Sequence, residues 1–264
     1  MDKTRVQQQF GANAANYATS PVHAKGKSLS RLVDLISPKS DWKALDVATG
    51  AGHTALAFAP HVASVAASDV TPEMLDQAKQ LAAARELTNV TCVSADAHAL
   101  PFPDDTFDLV TCRTAPHHFE DVSKFVTEVA RVLKPGGQFG LVDNISADGQ
   151  TNPDDSADDQ RAAADAYNAF EKRRDPSHGR ALGHNEWMSI LADADLTVES
   201  WEHLIKPMSF NRWCDTMSVE APVRDELRDM LSSGPAGFVA FLKPEFTNED
   251  ISFALTELLL VARR

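Results

Sequence analysis

Between Ala44 and Ile145 the chain alternates short apolar runs with stretches whose apolar residues recur at helical spacing. Lys43–Ala48 reads as a first strand, and Thr54–Ala59 belongs to the helix after it. The run 62–69 reads as a second strand closed by Asp69. Thr71, Pro72 and Glu73 then supply a cap, a first-turn proline and a carboxylate for the positive end of a helix. Met74, Leu75, Ala78, Leu81 and Ala82 keep its 3.6-residue period. A third strand spans 90–96 and ends in Asp96, and a fourth spans 107–112. Val122–Leu133 repeats the helical spacing with Phe125, Val126, Val129 and Val132, Pro135-Gly136-Gly137 stops it, and 138–143 is a fifth strand.

Strands separated by helix-length segments predict an α/β fold with a doubly wound, Rossmann-like sheet covered on both faces. Right-handed crossovers bring the strand C-termini to one edge, where such sheets bind ligands. Asp46, Asp69 and Asp96 all close strands, so they are expected to face one crevice. Residues 148–159, rich in Asp, Asn, Pro, Gly and Ser, mark a loop leaving this core. Helix-like 162–172 follows, then a helix at 186–194, a strand at 197–205, helical 212–231 and an apolar terminal strand at 251–262. The expected organisation is an N-terminal helical lid over 1–39 and a cofactor-binding core over 40–146. A helical cap over 147–183, inserted after the fifth strand, is followed by 184–264, which completes the sheet and adds a helical segment.

Composition narrows the classes. The 264 residues are 43% hydrophobic and 24% charged, ordinary for a globular enzyme. A net charge of −13 repels a phosphate backbone, so nucleic acid is not an expected partner. No apolar run reaches the ~20 residues a membrane helix needs, and the first ten residues lack an apolar signal core, which makes the cytoplasm the expected location. Three scattered cysteines predict reduced thiols, with neither a disulfide frame nor a metal knuckle.

The chemistry centres on Asp46-Val47-Ala48-Thr49-Gly50-Ala51-Gly52. A strand ends in a carboxylate and a glycine-bearing turn opens a helix, a geometry that lets a ligand approach the backbone closely. Gly50-x-Gly52-x-x-Ala55 meets the loose dinucleotide fingerprint. Asp46, however, is a poor neighbour for a pyrophosphate and a good one for a cationic ligand such as S-adenosylmethionine.

Taken in order, four motifs resemble those of class I S-adenosylmethionine-dependent methyltransferases, in the style of the ubiquinone/menaquinone-biosynthesis type. They are 45–52, 68–75, the run 96–108 with its Asp96-Ala97-His98-Ala99-Leu100-Pro101-Phe102, and 129–137 with its Leu133-Lys134-Pro135-Gly136-Gly137; His117-His118-Phe119 lies between the last two. Ala48 departs from the pattern, since many members carry glycine there. The resemblance implies that the backbone of Ala48, Thr49 and Gly50 passes the methionine part of the cofactor, beside Asp46. It implies that Asp69, with Val70 and Met74 following it, accepts the ribose hydroxyls. It also implies that Asp96 accepts the adenine amino group with Ala97 beside it, and that the main chain at Arg113 meets the amino-acid end. Residues 10–24 are similar to the family's N-terminal segment, in which Tyr17 folds over the cofactor and His23 is a weaker contact candidate; an amphipathic helix packed on the sheet is the alternative.

Methyl transfer requires an oriented acceptor and, for some acceptors, a base. His118 and His117 follow the fourth strand and are the catalytic candidates; packing of one against the cofactor, with the other structural, is the competing reading. His178 and Arg180 in the cap are the polar candidates for acceptor binding, against a turn that ties the cap helix to 186–194. Trp187, Trp201 and Trp213 read as core. The expected activity is methyl transfer to a small organic molecule, without a metal, and a homodimer is compatible with the chain. The alternatives are a nicotinamide-dependent oxidoreductase and a non-catalytic S-adenosylmethionine-binding sensor or partner subunit.

Overall fold

The computed structural model of the chain describes Gln7, Gly11, residues 26–147 and residues 156–264. The expectations for Tyr17 and His23 lie outside the described residues. The chain divides into two compact units: residues 1–143, 188–202 and 259–264 form the first, and 144–187 with 203–258 form the second.

The first unit opens with α1 (Lys27–Ile36) and then alternates strand and helix: β1 (Lys43–Val47), α2 (His53–Phe58), β2 (Ser64–Asp69), α3 (Pro72–Ala84) and β3 (Val90–Ser94). It continues with β4 (Phe107–Arg113), α4 (Val122–Val132) and β5 (Leu133–Asn144). β1 lies parallel to both β2 and β4, β2 to β3, and β4 to β5. The strand order of the sheet is β3-β2-β1-β4-β5-β8-β6, with β6 spanning Thr197–Ser209 and β8 spanning Ile251–Arg263. This is the doubly wound α/β sheet expected, and its order reverses between β1 and β4, the switch point at which such sheets bind ligands.

The apolar pattern explains the layering. Leu45, Val47, Leu109, Val110, Phe139 and Leu141 are all buried along the three central strands. Such strands, covered on both faces, read as continuous apolar runs. Helix α4 buries Phe125, Val126, Val129 and Val132 on one side, and Asp121 caps it by accepting the Lys124 N–H at 2.9 Å. Phe125 meets Phe139 edge to face at 6.0 Å between centroids, joining helix to sheet.

The helical stretch expected at 212–231 is two helices, Phe210–Asp215 and Ala221–Ser233, and two further differences from the sequence reading are instructive. Helix α4 passes directly into β5 at Leu133, so Pro135-Gly136-Gly137 lies within the strand rather than before it. Leu133 pairs with Phe107, and a register shift before Leu109 absorbs the irregularity. Gly136 takes a φ of +80° there, and its N–H donates to Arg264 O at 2.8 Å. The other difference is a helix at Ala236–Leu242, whose buried Phe238, Phe241 and Leu242 form a run too short for its periodicity to separate helix from strand.

The second unit holds α5 (Ala157–Arg174), then α7 (Phe210–Asp215), α8 (Ala221–Ser233), α9 (Ala236–Leu242) and β7 (Glu245–Phe246), which pairs antiparallel with the start of β8. Helix α6 (His184–Asp193) begins in this unit and ends in the first. Ser156 caps α5, Asp158 and Asp159 lie in its first turn, and Lys172, Arg173 and Arg174 lie in its last. Those charges complement the helix dipole. Phe170 on α5 stacks on Trp213 at 4.7 Å and 12°, and meets Phe238 and Phe253 edge on. The sequence cap of 147–183 is thus one part of a unit that also draws on 203–258.

Candidate functional site

One cleft of the first unit is lined by Asp46, Ala48, Thr49, Gly50, Asp69, Val70, Met74, Asp96, Ala97, Arg113 and His118, together with His53, Thr54, Thr71, His98, Phe119 and Glu120. Every described residue singled out as a cofactor contact therefore lies on the same surface, at the C-terminal ends of β1 to β4.

Asp46 is 1% exposed. Its Oδ1 accepts the Thr111 hydroxyl at 2.7 Å, and its Oδ2 accepts the Thr49 hydroxyl at 2.5 Å and the Ala55 N–H at 3.1 Å. Thr111 is the residue opposite Asp46 in the β1–β4 register, so this bond follows from strand pairing. Burial pushes the Asp46 carboxyl up to about 6, against the opposing pull of Thr49, Thr111, the Arg113 charge and the Ala55 N–H. The carboxylate thus fastens the glycine-bearing turn to two strands and keeps a titratable negative charge under the cleft.

The turn itself is strained. Ala48 sits in the left-handed region at φ +52°, where a Cβ is crowded. Thr49 N–H donates to Ser68 O at 2.8 Å and helps hold it there. The two glycines do different jobs. Gly50, at φ +54°, has nothing within 4 Å of where a Cβ would stand. Gly52, at φ +88°, faces α3 so closely that a Cβ would lie 2.9 Å from the Ala78 Cβ. Gly50 keeps the turn open, and Gly52 lets α3 pack.

Asp69 closes β2 and is 8% exposed. Its Oδ2 accepts the Gly50 N–H and its Oδ1 the Thr71 N–H, both at 2.8 Å. Burial raises its pKa above the usual carboxylate value, and the Thr71 and Gly50 N–H groups oppose the rise. Gln7 Nε2 donates to Val70 O at 2.8 Å, which puts that side chain at this rim. Asp96 follows β3, and its Oδ1 accepts both the His98 N–H at 3.1 Å and the His98 ring Nδ1 at 2.9 Å. Arg113, which lines the cleft, donates its Nε–H to the Thr54 hydroxyl at 3.0 Å.

The two adjacent histidines part company. His118 lines the cleft. His117 is 8% exposed, with Nδ1 2.6 Å from Asp143 Oδ1, while its backbone N–H donates to Asp143 Oδ2 at 2.9 Å. The two imidazoles lie 4.2 Å apart between centroids. His178 and Arg180 are in the second unit. His178 is 3% exposed, and its Nε2 lies 2.9 Å from Asn168 Oδ1. Arg180 pairs with Glu186 at 2.8 Å on the surface. Neither is among the residues lining the cleft.

Sequence reasoning passed over Thr111, Asp143 and His98. Asp143 carried a usable signal, since it closes the fifth strand as Asp69 closes the second. Thr111 carried none, because its role depends on which strands are neighbours. Among the described residues no group of three or more His, Cys, Asp or Glu could hold a metal ion.

The sheet order and the carboxylate-rimmed cleft define a doubly wound α/β protein with a ligand site at its switch point. Residues 45–141 match the family model described as a methyltransferase domain. The uncharacterised methyltransferase YcgJ of Bacillus subtilis is 37% identical over 204 residues, covering 77% of this chain and 76% of that protein. The crystal structure of YcgJ superposes with a TM-score of 0.82 at 31% identity, covering 90% of this chain and 97% of the other. A demethylmenaquinone methyltransferase of Thermus thermophilus is 42% identical over 115 residues, 43% of this chain and 52% of that protein. The chain belongs to the methyltransferase family.

Proposed function

We propose that the protein is an S-adenosylmethionine-dependent methyltransferase acting on a small organic acceptor. The observation that carries the cofactor reading is the convergence of Asp46, Asp69 and Asp96 on one cleft beside Gly50, whose missing side chain leaves open space. A pyrophosphate would meet those carboxylates as like charges. A ligand with a cationic centre, a vicinal diol and an aromatic amine meets them as complements.

On this reading Asp69 accepts the ribose hydroxyls, Val70 and Met74 wall the nucleoside, and Asp96 with Ala97 receives the adenine amino group. The backbone of Ala48, Thr49 and Gly50 and the Arg113 side chain meet the amino-acid end. The bound cofactor supplies a methyl carbon already activated by its sulfonium, so the chain's task is to hold the acceptor in line and manage its proton. We assign the proton to His118, which lines the cleft, with His117 and Asp143 behind it. A small acceptor is supported by the net charge of −13 and by the likeness to a demethylmenaquinone methyltransferase. Among the described residues no helix is long and apolar enough to cross a membrane.

Calorimetry tests the cofactor. Heat with S-adenosylmethionine and S-adenosylhomocysteine, and none with NAD, is expected; the reverse result would refute the reading. A panel of quinols, phenols and amines, read by release of S-adenosylhomocysteine, then identifies the acceptor class.

A further inference from the structure

His98 has both ring nitrogens committed. Nε2 accepts the Asp121 N–H at 3.3 Å, which puts the ring proton on Nδ1, and Nδ1 then donates to Asp96 Oδ1 at 2.9 Å. The His98 backbone N–H donates to the same oxygen at 3.1 Å. The ring meets Phe119 edge to face at 5.6 Å, and the side chains of His98 and Asp96 are only 16% and 27% exposed. The imidazole is therefore a fixed donor, oriented from the cap of α4, and Asp96 is its acceptor at the rim of the cleft.

A carboxyl group at a half-buried rim can act in two ways. Ionised, it only accepts hydrogen bonds; protonated, it can also donate. We propose that His98 is a positioning and specificity-determining residue: by donating to Oδ1 it holds Asp96 as an acceptor. The cleft then takes an amino-substituted purine and rejects one with a carbonyl at the same position. This rests on the reading of the cleft as an S-adenosylmethionine site. An amine N–H facing Asp96 forms a charge-assisted bond, whereas a carbonyl would face it as a second acceptor. Without the imidazole, Asp96 loses one of the two donors that residue 98 places on Oδ1 and is held less firmly in its accepting orientation, so the keto ligand becomes tolerable.

The test compares two ligands on the intact chain by calorimetry, S-adenosylhomocysteine and its inosine analogue S-inosylhomocysteine. Wild type is expected to prefer the adenosyl compound by about 10- to 100-fold, the range for a bond to a charged group. His98→Ala should reduce that ratio to within a few-fold of one. His98→Asn places an amide N–H where Nδ1 stands and should restore most of the preference, whereas His98→Gln reaches past it and should not. That pair decides the matter even if His98→Ala does not fold. Equal weakening of both ligands in the variants, or an unchanged ratio, would make His98 merely structural and overturn the proposal. If wild type binds neither ligand, the cofactor reading itself fails and the proposal falls with it.

Discussion

The first unit meets its buried charges at strand ends, whereas the second fills its interior with rings. Asp46, Asp69 and Asp143 are each almost fully buried, and each accepts hydrogen bonds from neighbours on the turns and strands around it. In the second unit Phe170, Trp213, Phe238 and Phe253 pack ring against ring. There the indole N–H of Trp213 and the hydroxyl of Ser146 are buried without a hydrogen-bond partner. A buried charge tolerates few alternatives, because each missing donor is costly, while an aromatic cluster accepts many arrangements of similar volume. The expected cofactor contacts among the described residues line the cleft of the first unit, while His178 and Arg180 lie in the second, beside Asn168 and Glu186.

Five experiments probe this contrast. The largest effect is expected at His118. With an acceptor from the screen, His118→Gln should lower kcat by about 10²–10⁴ while S-adenosylhomocysteine affinity stays constant. Loss of affinity at intact kcat would instead make His118 a wall of the cofactor site. Next is Gly52→Ala, which adds a Cβ 2.9 Å from Ala78 at a φ of +88°. Left-handed strain plus overpacking should cost about 2–5 kcal/mol, read from the urea midpoint.

The third concerns Asp46, whose pKa rises from the usual 3.8 to about 6 on folding. Between those values the folded state binds more protons than the unfolded chain, so stability from this group falls as pH rises through that window. The swing is on the order of 3 kcal/mol, and urea midpoints for wild type and Asp46→Asn between pH 4 and 7 should differ in slope accordingly. Affinity for the cationic cofactor should climb over the same window, because a cation favours the ionised carboxylate. Parallel slopes in both proteins would show that Asp46 does not titrate there.

Asp69→Asn is expected to weaken cofactor binding by about 1.5–3 kcal/mol, measured by calorimetry, and an unchanged affinity would reduce Asp69 to a clamp on its own turn. The smallest effect belongs to the second unit. The Arg180–Glu186 pair leaves its side chains 52% and 44% exposed. Arg180→Ala should therefore shift stability by no more than about 0.5 kcal/mol in denaturant titration. A larger loss, or a drop in turnover, would give Arg180 a role in the acceptor site.

Much of the first unit was legible without coordinates. Each of its parallel strands is a short apolar run, and the carboxylates at 46, 69 and 96 mark where three of them end, because a chain leaving a covered sheet meets water and ligand at that edge. The second unit was less legible. Helix α9 is a seven-residue apolar run, and in the first unit too one strand departs from its pattern, since β5 starts five residues earlier than its apolar stretch. In both cases long-range pairing or packing overrides local pattern.

The order of elements, the glycine-bearing turn and the three carboxylates that share an edge follow from periodicity along the chain and from the backbone demands of a tight turn. How those groups are used depends on which of them the fold brings into contact. Thr111 supports Asp46 because β1 and β4, 65 positions apart at that bond, lie side by side. His117 turns to Asp143 while its neighbour His118 lines the cleft, and His98 meets Asp121 from 23 positions away. A hydrogen bond needs two groups within about 3 Å in the right orientation. Residues far apart in the chain acquire that relation only when the sheet places them together.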